Sequence, residues 1–332
     1  MVWLKYVACF AIILFAGTKL ARYGDAISEK TGLGGLWIGL IFLATVTTMP
    51  ELVTGISSAA LVGLPDLAMG TLLGSCTFNL SILALLDTIH RPAPLLNKAH
   101  LRHVASAGVG ILLIAIASGS ILGGDKFSGP AIGWVGIPSL AILILYLAGA
   151  RQMFRFERTH PIQSPEGASP LYAEIPVRTV YLRFASAAIA VIGAGIWLAF
   201  IGDEIAETTG WGTTFVGSLF LAISTSMPEL VVSIAALRLR AIDMAVAGIL
   251  GANMLDLVSV AWTDIFYTQG PILTMVSTTH LVTAIVAAAM SLIVIAGLCL
   301  KQKRKTFIIF SWYTPALIGL YIFGAYALFT SA

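Results

Sequence analysis

The amino-acid sequence predicts an all-α polytopic membrane protein, ten transmembrane helices arranged as two inverted five-helix repeats with helices 2 and 7 broken. Three observations carry that prediction. The 332 residues are 58% hydrophobic and only 11% charged, with a mean hydropathy of +0.94, which excludes an ordinary soluble domain. The segment GLIFLATVTTMPELV at 39–53 returns as GSLFLAISTSMPELV at 217–231, and Gly24, Asp25, Ile27 and Glu29 return at the same offset as Gly202, Asp203, Ile205 and Glu207. Chance likeness between apolar stretches would not align charged, Gly and Pro residues in this way, so the chain holds an internal duplication. Finally, with the N-terminus outside, only Lys5 and Lys126 of the 19 basic residues fall on the outer face. That asymmetry is the positive-inside signal, and it sets both helix count and orientation.

The elements follow in chain order. Apolar stretches approaching the ~20 residues needed to cross a hydrocarbon core lie near 2–22, 35–62, 67–87, 104–123 and 131–150, then 180–201, 212–237, 242–263, 276–299 and 306–329. The first lacks a basic leader and a small-residue cleavage site and runs into the duplicated region, so it reads as helix one and not as a signal peptide. The second and seventh carry Pro50 and Pro228, which remove a backbone donor and crowd the preceding turn, breaking or kinking the helix. The third and eighth carry a second matched motif, GTLLGSCTFNL at 70–80 against GILGANMLDL at 248–257. Residues 1–150 form the first repeat, with its motif region at 44–80, and 180–332 the second, with its motif region at 222–257. Between them, 151–179 is a cytoplasmic linker marked by Pro161, Pro165, Pro170 and Pro176, too short for a domain with its own core. An odd number of helices separates equivalent positions, so the repeats enter the membrane from opposite faces and both termini lie outside. Two such halves suit alternating access around a midplane site.

An ionisable residue deep in an apolar segment is costly enough that transport is its default explanation. Glu51 and Glu229 are such residues. Thr47 and Thr48 precede Glu51, and Thr225 and Ser226 precede Glu229, at spacings that share a helix face. In the next helix Ser75 and Asn79 share a face, as do their mates Ala252 and Asp256. The combined set offers only oxygen ligands, which suits hard cations. Three clustered carboxylates require compensation by positive charge, and Ca²⁺, several Na⁺ or H⁺ all satisfy that demand. Asp25, Glu29, Asp66 and Asp87, with repeats Asp203, Glu207, Asp243 and Asp264, fall at helix ends and read as capping or solvated groups. His90, His100, His103, His160 and His280 lack metal-ligand spacing and read as structural. Cys9, Cys76 and Cys299 read as small buried residues. No nucleophile–base pair or phosphate loop points to an enzyme. The basic balance reports topology and not nucleic-acid binding. No cofactor or protein partner is implied, and a monomer in the lipid bilayer suffices.

The paired signature TTMPE with GSCTFN, then TSMPE with GANMLD, resembles the cation/calcium antiporter superfamily and is most similar to the prokaryotic sodium/calcium exchangers. The resemblance covers both repeats. It implies that Glu51 and Glu229 bind Ca²⁺ centrally, that Asn79 and Asp256 complete the ion sites, and that Thr47, Thr48, Ser75, Thr225 and Ser226 shape Na⁺ binding. Val46 and Ser224 replace the family's usual Gly, and Ala252 replaces a Ser hydroxyl. Proton/calcium exchangers of the superfamily tend to carry Glu where this chain has Asn79 and Asp256, which favours Na⁺ as counter-ion. The expected function is Ca²⁺/Na⁺ antiport at a plasma or inner membrane. H⁺/Ca²⁺ exchange is the first alternative, and a passive cation channel a further one.

Overall fold

The computed structural model describes all residues except 32–35, 91–92, 125–130, 160–171, 173, 301, 303–304, 308 and 332, with the backbone alone described at 36–41, 154 and 156–159. The expectations for Lys126, His160, Pro161, Pro165 and Pro170 lie outside the described residues.

The chain is nearly all helical. The first half contains α1 (Val2–Thr31), α2 (Leu36–Thr47), α3 (Met49–Ala60), α4 (Pro65–Ile89), a short α5 (Leu95–Lys98), α6 (His103–Gly123) and α7 (Ile137–Thr159). The second contains α8 (Val177–Thr209), α9 (Thr213–Val216), a π-helical turn at Gly217–Leu221, α10 (Ala222–Thr225), α11 (Met227–Arg238), α12 (Ile242–Phe266), a short α13 (Ile272–Met275), α14 (His280–Cys299) and α15 (Tyr313–Thr330). Seven of these, α1, α4, α6, α8, α12, α14 and α15, are long and apolar enough to cross a membrane, and the pair Thr213–Thr225 and Met227–Arg238, bent by 42°, makes an eighth.

Three details depart from the sequence reading. An antiparallel pair of two-residue strands, β1 (Ala131–Ile132) and β2 (Val135–Gly136), occupies the start of the stretch read as helix five. Helices α1 and α8 continue to Thr31 and Thr209, and α7 runs to Thr159, well past the apolar windows. Hydropathy ends where charge begins, whereas backbone hydrogen bonding carries the helix on into the polar boundary. Cys299 is exposed at the end of α14, unlike the buried Cys9 and Cys76.

Helix α4 lies at the centre. Every residue from Leu67 to Ala84 except Phe78 is buried, as its all-round apolar and small-residue sequence requires. Opposite it stands α12, and α3, α6, α14 and α15 pack around the pair. Helices α1 and α8 lie against each other at one side. Both approach the broken helices through glycine. A Cβ at Gly195 would sit 3.0 Å from Val53 Cγ1, and one at Gly17, its repeat mate, would overlap Pro228.

Four of the acids read as caps or solvated groups divide into two kinds. Asp87 and Asp264 are fully buried, so solvation is wrong for them. Asp87 accepts hydrogen bonds from Leu95 N, Ser311 N, Ser311 Oγ, Tyr313 Oη and Thr314 Oγ1 at 2.7–3.0 Å, with Lys305 Nζ 3.7 Å away. Asp264 accepts from Ile272 N at 2.7 Å and Gly136 N at 2.9 Å. Each tethers the loops beyond its helix, because a buried carboxylate demands donors that those loops supply. Asp66 and Asp243 hold histidines of the opposite half: His280 Nε2 lies 3.0 Å from Asp66 and His103 Nε2 lies 2.9 Å from Asp243. The structural reading of His103 and His280 therefore acquires a definite content, one fastener between halves at each end of the bundle.

Candidate ion-binding site

Where α2 meets α3, Thr48 has φ −81° and ψ 0°, and its repeat mate Ser226, between α10 and α11, has φ −86° and ψ 7°. These values lie in the sparsely populated bridge region. The cause is local. Pro50 and Pro228 have no N–H, so the carbonyls of Val46 and Ser224 lose their usual helical donors. Each break also turns an acid inward one residue later, and Glu51 and Glu229 are both buried.

The second half holds the first half's acid: Ser226 Oγ donates to Glu51 Oε1 at 2.8 Å. Thr225 and Thr47 donate back along their own helices, to Leu221 O at 3.0 Å and Ala44 O at 3.1 Å. A hydrogen bond to a charged group is worth about 1.5–3 kcal/mol, so the Ser226 hydroxyl ties α3 to the break between α10 and α11. On the central helices, Asn79 Nδ2 donates to Asp256 Oδ2 at 3.2 Å, which joins α4 to α12. Glu51, Glu229 and Asp256 interact through charge.

All nine residues singled out from sequence are buried: Thr47, Thr48, Glu51, Ser75, Asn79, Thr225, Ser226, Glu229 and Asp256. Hydrogen bonds link Glu51 with Ser226 and Asn79 with Asp256. Thr47, Thr48 and Thr225 instead turn their hydroxyls back, Thr47 and Thr48 to Ala44 O at 3.1 and 2.8 Å and Thr225 to Leu221 O at 3.0 Å, while Ser75 Oγ and both oxygens of Glu229 have no partner among the described residues. Two contributors were missed in the sequence. Asn253 Nδ2 donates to Cys76 O at 3.2 Å while Cys76 Sγ lies 3.7 Å from Asn253 O, so these repeat mates bridge α4 and α12 reciprocally. Aligning the second motifs pairs them, but one is a thiol and the other an amide, which hid the match. Ser224 Oγ donates to Tyr6 Oη at 2.9 Å, connecting the broken helix to α1 at a position where the sequence showed only a lost glycine.

The chemistry of the centre follows from what is left over. Glu51 Oε2, both oxygens of Glu229, Asp256 Oδ1, Asn79 Oδ1 and Asn253 Oδ1 are buried without a hydrogen-bond donor among the described residues. All are acceptors. Buried acceptors of net negative charge are tolerable only beside positive charge. Among the described residues no three His, Cys, Asp or Glu side chains close on one point. Carboxylates here are interleaved with amides and hydroxyls, the mixed oxygen set that hard cations accept. A cavity of about 20 Å³ lies beside Glu229 and Thr47, bordered by Ala44, Ser233 and Gly248. It has room for about one water-sized occupant.

A duplicated pair of broken helices thus delivers two buried Glu residues to one acceptor-rich centre. The family model described as sodium/calcium exchanger protein matches residues 1–150 and 179–332. The chain belongs to that family. The exchanger is 26% identical over 268 residues to the inner membrane protein YrbG of Escherichia coli strain K12, covering 79% of this chain and 78% of that one. Its fold is similar to that of the sodium-calcium exchanger NCX_Mj, with a TM-score of 0.62 at 21% identity, covering 97% and 98% of the two chains. It is also similar to the H⁺/Ca²⁺ exchanger CAX, with a TM-score of 0.71 at 14% identity, covering 99% and 85%. At these identities the two structures speak for the fold alone. The exchanger is a multi-pass integral membrane protein of the cation/calcium exchanger superfamily, a transporter and not an enzyme.

Proposed function

We propose that this exchanger moves Ca²⁺ out of the cell against inward Na⁺, both ions competing for one central site. The observation that carries the proposal is the acceptor-rich centre in which Glu51 of the first half is held by Ser226 of the second while Glu51 Oε2, both oxygens of Glu229 and Asp256 Oδ1 are buried without a donor among the described residues. Glu51 and Glu229 are the main Ca²⁺ ligands, aided by the carbonyls that the prolines release. Asn79, Asp256, Ser75, Thr48 and Ser226 shape occupancy by the counter-ion. Ten spans in two inverted repeats underlie alternating access: α2 with α3 counts as one broken span, α9 to α11 as its mate, and α7 as the fifth of the first half. Both termini lie outside and a monomer is competent.

Sodium is preferred because Asn79 and Asp256 stand where a longer Glu would favour proton coupling. Proton-coupled exchange is the second reading, favoured by Ala252, which lacks a hydroxyl that a Na⁺ site would use. The deciding experiment is ⁴⁵Ca²⁺ uptake into proteoliposomes under separately imposed gradients. Uptake driven by a Na⁺ gradient at constant pH supports the first reading. Uptake driven only by a pH gradient in Na⁺-free vesicles replaces it with the second, and passive flux with no counter-ion requirement refutes both.

A further inference from the structure

On the side that the basic residues assign to the cytoplasm, a cavity of about 810 Å³ opens between the end of α4, α5 and the turn joining α11 to α12. Lys98, Arg238, Arg240 and His90 line it above an apolar floor that includes Ile234 and Leu237. The side chains of Lys98, Arg238 and Arg240 make no hydrogen bond or ion pair among the described residues. One carboxylate, Asp243, also lines the cavity, but it is already engaged by His100 N at 2.8 Å and His103 Nε2 at 2.9 Å. Net positive charge is left facing an open space. Desolvation together with the nearby Lys98 and Lys305 charges holds the His90 imidazole below its ordinary pKa.

A second, independent feature points to the same place. Arg240 has φ 61°, and among the described residues it alone of the non-glycines has positive φ. It occupies the left-handed position that closes α11, with Arg240 N donating to Leu237 O and Ala241 N to Ala236 O. Glycine is the ordinary occupant of such a position because it pays no Cβ penalty. An arginine kept there against that preference implies a use for its charge. The positive-inside rule explains which face these cations occupy, not why they converge on one cavity.

Repulsion by these cations makes the cavity unsuited to the transported ion. Its lining also differs from that of the small cavity beside Glu229. We propose that it binds a phosphate-bearing anion, with Lys98, Arg238 and Arg240 on the phosphate. The exposed Ile89 and Leu239 at and beside the cavity give the anion an apolar flank, which suits the headgroup and upper acyl chain of an anionic phospholipid. A free phosphate would use the same cations.

The test measures thermal unfolding of the full-length protein in phosphatidylcholine nanodiscs, alone, with phosphatidylglycerol, or with inorganic phosphate at constant ionic strength. Wild type should melt higher with phosphatidylglycerol. Lys98→Gln/Arg238→Gln/Arg240→Gln should lose most of that shift while melting normally in phosphatidylcholine alone, and Arg151→Gln, a basic residue on the same face outside the cavity, should retain it. A shift produced equally by inorganic phosphate and lost in the triple variant would make a soluble phosphate the ligand of the same site. No shift with either, or a shift that the triple variant and the single Lys98→Gln variant both keep, would overturn the proposal.

Discussion

At the residue scale, the arrangement of Glu51 and Glu229 makes a sharp demand. Each acid is buried and left with unpartnered oxygens, and Glu51 alone of the two accepts a hydroxyl of the opposite repeat among the described residues. Replacing either with Gln keeps side-chain volume and removes a charged ligand. Glu51→Gln and Glu229→Gln should therefore abolish Ca²⁺ exchange in proteoliposomes while leaving expression and melting intact, and retained exchange in both would refute the ligand assignment. Ser226→Ala deletes the 2.8 Å donor to Glu51. A hydrogen bond of about 1.5–3 kcal/mol to a charged group corresponds to roughly a tenfold or greater change in apparent Ca²⁺ affinity, read from the concentration dependence of uptake. Thr48→Ala should change that affinity far less, since its hydroxyl serves Ala44 O.

At the scale of elements, stability rests on polar fasteners that the sequence presents as unremarkable helix-end acids. Asp87 gathers five donors from α5, from Ser311 just before α15 and from the first turn of α15. Asp87→Ala leaves those five donors without their buried acceptor, a loss of about 3–5 kcal/mol by analogy with broken buried pairs. The detergent-solubilised variant should melt several degrees lower, and an unchanged melting temperature would show that water replaces the carboxylate. Asp25 differs in kind: α1 continues past it to Thr31. Helix breaks were legible because proline acts within its own turn. The tethers were not, because the partners of Asp87 lie more than 200 positions away along the chain for all but Leu95.

At the scale of the whole molecule, the two repeats meet at two related crossings. Where α4 crosses the π-turn, the contact is tight: a Cβ at Gly70 would sit 2.8 Å from Thr214 O, and one at Gly217 would sit 3.1 Å from Thr71 N. At the related crossing of α2 and α12, Gly251 meets Ala44 Cβ at 3.6 Å and Gly248 borders the cavity beside Glu229. Under the proposed orientation the first crossing lies toward the outer face and the cavity beside Glu229 toward the cytoplasm. A single cysteine at Gly248, in a Cys299→Ser background, should react with a membrane-impermeant thiol reagent applied from the cytoplasmic side, and one at Ser218 should resist reagent from outside. The reverse pattern would invert the orientation or the state. Helices α1 and α8, which reach the broken helices at Gly17 and Gly195, are suited to move as a gate. Crosslinking both to the core without loss of exchange would refute that role.

Composition, duplication and the two Pro-Glu motifs determined that the chain is a membrane transporter built from two related halves around buried acids. Hydropathy and local backbone chemistry are written residue by residue, so a linear reading recovers them. Which hydroxyl serves which acid, that Cys76 answers Asn253, that histidines bind aspartates of the opposite half, and that three cations share one cavity were decided by tertiary structure alone. Those facts depend on how α2–α3 crosses α10–α11 and α4 crosses α12, geometry that packing fixes and no local pattern encodes.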